Sequence, residues 1–287
     1  MTSLVETGIG RPLDPRLTSN RIAVAGAFLG TVLALIVQWV NGEPISIMAA
    51  GAMGVGVFLA WAIARELDPD RPTSATISVV IASGAIAFGP FAAGAVAVAM
   101  LGARVMAGTV GTHLRPADII VLSAAAAYAG TRPEAWGAAA LLVASVLVAR
   151  PPHSGAIAAA FAISSVAGAA LTGAIPAPGA SSPLTVALIA VTVIATAISY
   201  PARRIASHTE SGRTPIDTSR VTMARVGMAS AIVIGSVLGA EGAQALAPAI
   251  AAVVGVALVR LALPGTSPDP DHESKQPIHS RSLSASP

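Results

Sequence analysis

The stretch IAVAGAFLGTVLALIV, Ile22–Val37, holds no charged side chain and is apolar on every side. AQALAPAIAAVVGVALV, Ala243–Val259, reads the same way. In lipid, backbone groups have no water to bond, so only helices and closed barrels span a membrane. Barrel strands alternate apolar and polar residues. These stretches do not alternate, so they predict membrane helices. Their lengths are close to the roughly 17–20 apolar residues that one crossing needs.

Composition carries the reading to the whole chain. Of 287 residues, 54% are hydrophobic and 11% charged, with mean hydropathy +0.74. A soluble domain carries about 25% charged residues, and so few charges cannot cover a water-facing surface. The chain is therefore expected to be an all-α polytopic membrane helical bundle of the cell's inner (plasma) membrane. About ten segments are expected, over 21–40, 44–64, 73–88, 91–108, 117–130, 135–149, 155–175, 184–201, 221–240 and 243–262. Segments 73–88, 117–130 and 135–149 are short for a hydrocarbon core of about 30 Å. They read either as spans of a thinned bilayer or as re-entrant hairpins. Residues 1–20 form an N-terminal segment, 21–264 the membrane domain, and 265–287 a Ser- and Pro-rich tail expected to be disordered. The N-terminus lacks the basic, apolar and small-residue order of a signal peptide, so the first helix is expected to be retained.

Charge sets the orientation. Cytoplasmic loops carry the excess of Lys and Arg. With both termini inside, 16 of the 17 basic residues fall on the cytoplasmic side and only Arg132 lies outside. The opposite orientation inverts the ratio. A pI near 10.2 is thus read as topology. Nucleic acid is not an expected partner, because the basic residues are interspersed with apolar segments and aromatics are scarce. With no cysteine, thiolate chemistry and disulfides are excluded.

The connections suggest a repeat. Arg11-Pro12-Leu13-Asp14, Arg115-Pro116-Ala117-Asp118 and Thr214-Pro215-Ile216-Asp217 each precede a segment. Their aspartates stand 104 and 99 residues apart, four segments in each interval. A four-segment unit used about two and a half times fits this spacing, and repeats are common in transporters. Ordinary helix starts also favour Pro and Asp, so the pattern has two explanations.

Four polar regions could carry chemistry. Arg65, Glu66, Asp68, Asp70 and Arg71 join two segments in a short loop. The Asp-x-Asp pair, Asp68 and Asp70, could hold Mg²⁺ with waters and a phosphate, and the arginines could grip an anion. A salt-bridged turn is the plainer alternative. Arg104, Arg115 and Asp118 flank Gly108-Thr109-Val110-Gly111-Thr112-His113, a glycine-rich loop that could cradle a phosphate. Asp118 is equally suited to a helix start. Arg150 closes one segment. Arg203, Arg204, Asp217 and Arg220 lie in the longest connection, suited to anionic lipid headgroups. Arg225 lies one turn into apolar helix and needs an anionic partner.

Arg150-Pro151-Pro152-His153-Ser154-Gly155-Ala156 resembles the motif of the four-helix HPP membrane family, which would imply a four-helix unit and anion transport. The likeness covers seven residues, and arginine stands where that family has its histidine, so it does not assign the chain. The Asn-Asp-x-x-Asp pattern of polyprenyl transferases is absent.

The expected function is transporter-like or carrier-like, with a cytoplasmic Arg/Asp layer recognising an anionic solute or lipid headgroup. Two alternatives stand beside it. One is a Mg²⁺-dependent enzyme acting on a phosphorylated lipid. The other is a structural subunit of an envelope complex, with a membrane protein as partner and small-residue helix faces as contacts. Membrane lipids are expected partners in each case.

Overall fold

The computed structural model of the protein describes residues 9–10, 16–111, 113–174, 178, 182–200, 205–209 and 214–263. Among these the chain forms ten α-helices: α1 (Thr18–Val40), α2 (Ile47–Leu67), α3 (Pro72–Ala85), α4 (Ala93–Ala107), α5 (Pro116–Gly130), α6 (Trp136–Ala149), α7 (Ser154–Thr172), α8 (Pro183–Ser199), α9 (Thr218–Leu238) and α10 (Ala247–Ala262). Tighter 3-10 turns at Ile86–Phe88, Pro133–Ala135 and Gly242–Leu246 extend α3 and lead into α6 and α10. The expected 265–287 tail lies outside the described residues.

The helix boundaries follow local chemistry. Proline occupies the first turn of α3, α5, α8 and α10, where a missing N–H costs nothing. Ser46, Ser182 and Asp217 accept backbone N–H groups at the starts of α2, α8 and α9.

Five stretches are long and apolar enough to cross a membrane: α1, α2, α7, α9 and Gly242–Ala262, the last being α10 with its leading turn. The other five helices are shorter, and they include the expected segments 91–108 and 184–201, which form helices of 15 and 17 residues. At 1.5 Å per residue, 15 residues rise only about 22 Å. Large apolar side chains stand exposed on the flanks, among them Phe28, Trp39, Met48, Ile163 and Leu171. A soluble monomer does not tolerate apolar surface on this scale, so the surface is suited to lipid.

Within the bundle, Gly242–Ala262 and α2 are central, with 67% and 61% of their apolar windows buried, against 22% for α1 and 28% for α7. Glycines let the helices close on one another. A Cβ at Gly130 of α5 would strike the Ser165 carbonyl of α7, and one at Gly168 of α7 would strike the Ala127 carbonyl of α5. Gly137 of α6 lies similarly close to the Ala231 carbonyl of α9. Van der Waals contact at this range is the main force between helices in lipid. Gly51 and Gly84 have no such neighbour within 4 Å.

The helices pack in groups. Helices α1, α2 and α3 contact one another, as do α5, α6 and α7. Helix α4 packs on α6, and α8 packs on α10. The proposed repeat signatures, however, sit in different registers. Pro116 is the first residue of α5 and Asp118 the third, whereas Asp217 is itself the cap of α9 and Pro215 precedes it by two positions. Asp14 lies outside the described residues.

Candidate functional site

Side-chain contacts gather the charged helix ends at one end of the bundle. Asp68 caps the C-terminus of α2 and is buried. Its Oδ1 accepts Arg260 Nη2 of α10 at 2.8 Å, and its Oδ2 accepts the Ser74 hydroxyl of α3 at 2.8 Å. Arg225 Nη2 of α9 stands 3.6 Å from the same Oδ1. Arg225 is 2% exposed and does more than pair with Asp68. Its Nε donates to the Leu67 carbonyl at 2.8 Å, and its Nη1 donates to the Ser199 carbonyl at 2.6 Å. Those carbonyls close α2 and α8. A helix C-terminus leaves carbonyls unbonded and carries about half a negative charge, so one guanidinium satisfies two helix ends.

Arg220, five residues earlier, treats α4 the same way. Its Nε and Nη2 donate to the Met106 and Val105 carbonyls at 2.9 and 2.7 Å. Gly108 ends α4 at φ +67, and Arg220 lies directly against it, where a Cβ would collide with the guanidinium. Glycine suits the left-handed backbone there, and a Cβ would push the Arg220 guanidinium aside.

Glu66 is fully buried beside this point. It accepts Arg104 Nε at 2.7 Å and the Thr109 hydroxyl, which ties α2 to α4 and to the glycine-rich loop. Arg104 Nη1 donates to the Ile9 carbonyl at 3.0 Å.

Above these ties opens a cleft of about 340 Å³. Arg104, Arg150, His113 and Arg220 line it, together with Gly108, Gly111 and Asp217. Arg150 is exposed and takes a left-handed conformation at φ +50, unusual for a side-chain-bearing residue. Across Pro151 and Pro152, His153 is also left-handed at φ +60. Asp217 is the acid of the cleft wall. It accepts the Ser219 hydroxyl and backbone N–H at 2.7 and 2.8 Å, and the hydroxyl bond foremost holds its carboxyl below the usual range.

The residues singled out by sequence separate into three groups. Arg104, Arg150 and Arg220 converge on the cleft, with Asp217 at its edge. Glu66, Asp68 and Arg225 are internal ties. The remainder serve connections and helix starts. Arg65 donates to the Pro69 carbonyl, and Arg71 is the residue that leads into α3. Asp118 accepts the backbone N–H of Arg115 at the start of α5, at 2.9 Å, so it serves the helix start. Arg203 and Arg204 lie outside the described residues.

Asp68 and Asp70 do not converge as a metal pair. Asp68 turns inward, while Asp70 accepts the backbone N–H groups of Ala206 and Ser207 at 3.0 and 2.9 Å. All four carboxylate oxygens already hold hydrogen bonds. Among the described residues, no group of three or more His, Cys, Asp or Glu could hold a metal ion. Sequence reasoning missed Arg260 and Ser74 as partners of Asp68 and the Ile9 carbonyl as a partner of Arg104. Arg260 ends α10 much as Arg65 ends α2, which is the signal that could have drawn attention to it.

No family model, no curated protein and no solved structure matches the chain. The seven-residue likeness to the HPP motif therefore gains no support.

Proposed function

We propose that the chain is a multi-pass inner-membrane protein whose cytoplasmic face binds an anionic group, in a carrier-like role. The cleft carries this reading. It sets three guanidinium groups and an imidazole from α4, the following loop, the end of α6 and α9 around one opening. Its volume of about 340 Å³ lies within the 300–1,000 Å³ usual for small-molecule sites. Guanidinium groups bind phosphate and carboxylate oxygens through paired N–H donors. The arginine-rich end is taken as cytoplasmic because basic residues favour that side. The five shorter helices complete ten segments, crossing where the bilayer thins or where neighbours bury them.

The alternatives carry less weight. A Mg²⁺ enzyme needs Asp68 and Asp70 on one ion, and their oxygens are engaged elsewhere. A scaffold would present its small-residue faces to a partner, yet Gly54, Gly130, Gly137 and Gly168 are used against this chain's own helices.

The test is native mass spectrometry from nanodiscs of phosphatidylcholine alone or with phosphatidylglycerol, alongside calorimetric titration with inorganic phosphate. Retained phosphatidylglycerol that is lost in Arg150→Ala identifies a lipid headgroup. Saturable phosphate binding in phosphatidylcholine nanodiscs, lost in the same variant, identifies a free anion, and proteoliposome uptake of labelled phosphate then tests carriage. Binding of neither by the wild type overturns the reading.

A further inference from the structure

We propose that the anion taken up by the cleft is organic: an oxyanion carried on an apolar body, as in an alkyl phosphate, and not an inorganic ion. This rests on the cleft reading above and names the ligand class of the same site.

The charged groups of the cleft are unequally engaged. Arg104 is paired with Glu66 at 2.7 Å. Arg220 gives Nε and Nη2 to the end of α4, which leaves Nη1 for a ligand. The side chains of Arg150 and His113 line the cleft and meet no acceptor among the described residues. Asp217, the carboxylate of the wall, is held by Ser219. The donors open to a ligand are therefore few, enough for one oxyanion head.

Much of the remaining wall is apolar. Leu114 follows His113, Ala149 and Pro151 flank Arg150, and Pro215 stands two positions before Asp217. Val110 lies in the loop between Gly108 and Gly111, and all five apolar residues line the cleft. Val110, Leu114, Ala149 and Pro151 are half-buried. An inorganic phosphate ion is polar on every side and gains nothing from such a wall. It is also far smaller than the ligands that a cleft of about 340 Å³ usually holds. Bound alone, it would leave water standing against apolar side chains. An apolar body joined to the same head expels that water, and the burial favours binding. A few polar groups set in an apolar lining are the usual make-up of a site for a small organic ligand.

The test is calorimetric titration of the full chain in phosphatidylcholine nanodiscs with inorganic, methyl, propyl and butyl phosphate. Empty nanodiscs are titrated alongside to remove partition into lipid. Wild type, Val110→Thr, Leu114→Thr and Arg150→Ala are compared. A fully buried methylene strengthens binding about fourfold, and one half covered about twofold. Butyl phosphate should therefore bind the wild type roughly 8–60-fold more tightly than methyl phosphate. Val110→Thr and Leu114→Thr should each lower that ratio by about two- to fourfold, because a hydroxyl on the wall holds water that the alkyl chain must displace. Arg150→Ala should weaken every member of the series. Phosphatidylglycerol retained by the wild type in mixed nanodiscs and displaced by butyl phosphate marks the ligand as a lipid. The same rising series with none retained marks a soluble organic anion.

Equal binding of all four phosphates by the wild type overturns the apolar body and leaves the cleft reading intact. A rise with chain length that survives undiminished in both wall variants does the same. No binding of any phosphate, with no phosphatidylglycerol retained, overturns both.

Discussion

Arg150 offers a test in which stability and binding should move in opposite directions. It ends α6 at φ +50, where an L-residue costs about 1–2 kcal/mol. Glycine adopts that conformation freely, but its looser unfolded chain takes back roughly 0.5–1 kcal/mol. Arg150→Gly should therefore stabilise the protein by about 0.5–1 kcal/mol. For a chain of this size that is a melting shift of about 2 °C. The same change removes a cleft guanidinium. A hydrogen bond to a charged group contributes about 1.5–3 kcal/mol, so phosphate should bind roughly 10–100-fold more weakly. Arg150→Ala keeps a Cβ at the strained position and loses the same charge. It should bind as poorly without the gain in stability. Scanning fluorimetry on Trp39, Trp61 and Trp136 in nanodiscs, with calorimetric phosphate titration, reads both quantities. A glycine variant that melts no higher than the alanine variant refutes the strain argument. Unchanged phosphate affinity removes Arg150 from the site.

Three further outcomes follow from the packing. Arg225→Met should lower stability by about 3–5 kcal/mol, as when one member of a buried ion pair is removed; a chain that melts as the wild type does would show that the ends of α2 and α8 do not depend on it. Gly130→Ala should destabilise by about 1–3 kcal/mol through overpacking against Ser165. Gly51→Ala, in open space, should be neutral or gain up to about 1 kcal/mol of helix propensity, and equal melting of the two variants would refute the helix contacts described. Asp217→Ala should cost about 1 kcal/mol near neutral pH through the lost cap of α9. Because the folded carboxyl titrates below its unfolded value of about 3.9, this contribution is present above that pH and disappears as pH falls through the folded value. A melting difference between wild type and Asp217→Ala that does not shrink at all as pH falls below about 3.9 would contradict it.

The all-helical class and the long apolar segments were readable because lipid constrains them residue by residue. Every backbone group in lipid must be satisfied within its segment. Helix starts were readable for the same local reason, as Pro116, Pro183 and Asp217 show. Pairing was not readable. Asp68 and Asp70 are two positions apart, yet they face α10 and the connection after α8, because the chain reverses between them. Arg225 was rightly seen to need an anionic partner, but two of its three contacts are backbone carbonyls, which no side-chain pattern announces. The cleft depends on five separated stretches meeting, including Ile9, whose carbonyl is invisible in the sequence. The left-handed turn at Arg150 was equally hidden, since neither glycine nor asparagine marks it.

The use of α9 to close earlier helices has a temporal side. Arg220 and Arg225 satisfy the carbonyls that end α4, α2 and α8, all of which leave the ribosome before α9. Until α9 has been made, those helix ends lack the Arg220 and Arg225 guanidinium groups and must find other hydrogen-bond donors. Assembly of the charged end is thus postponed until α9 has been made. A chain that stops short of residue 218 would insert its early helices and still present three unfinished ends to the proteases that survey the membrane.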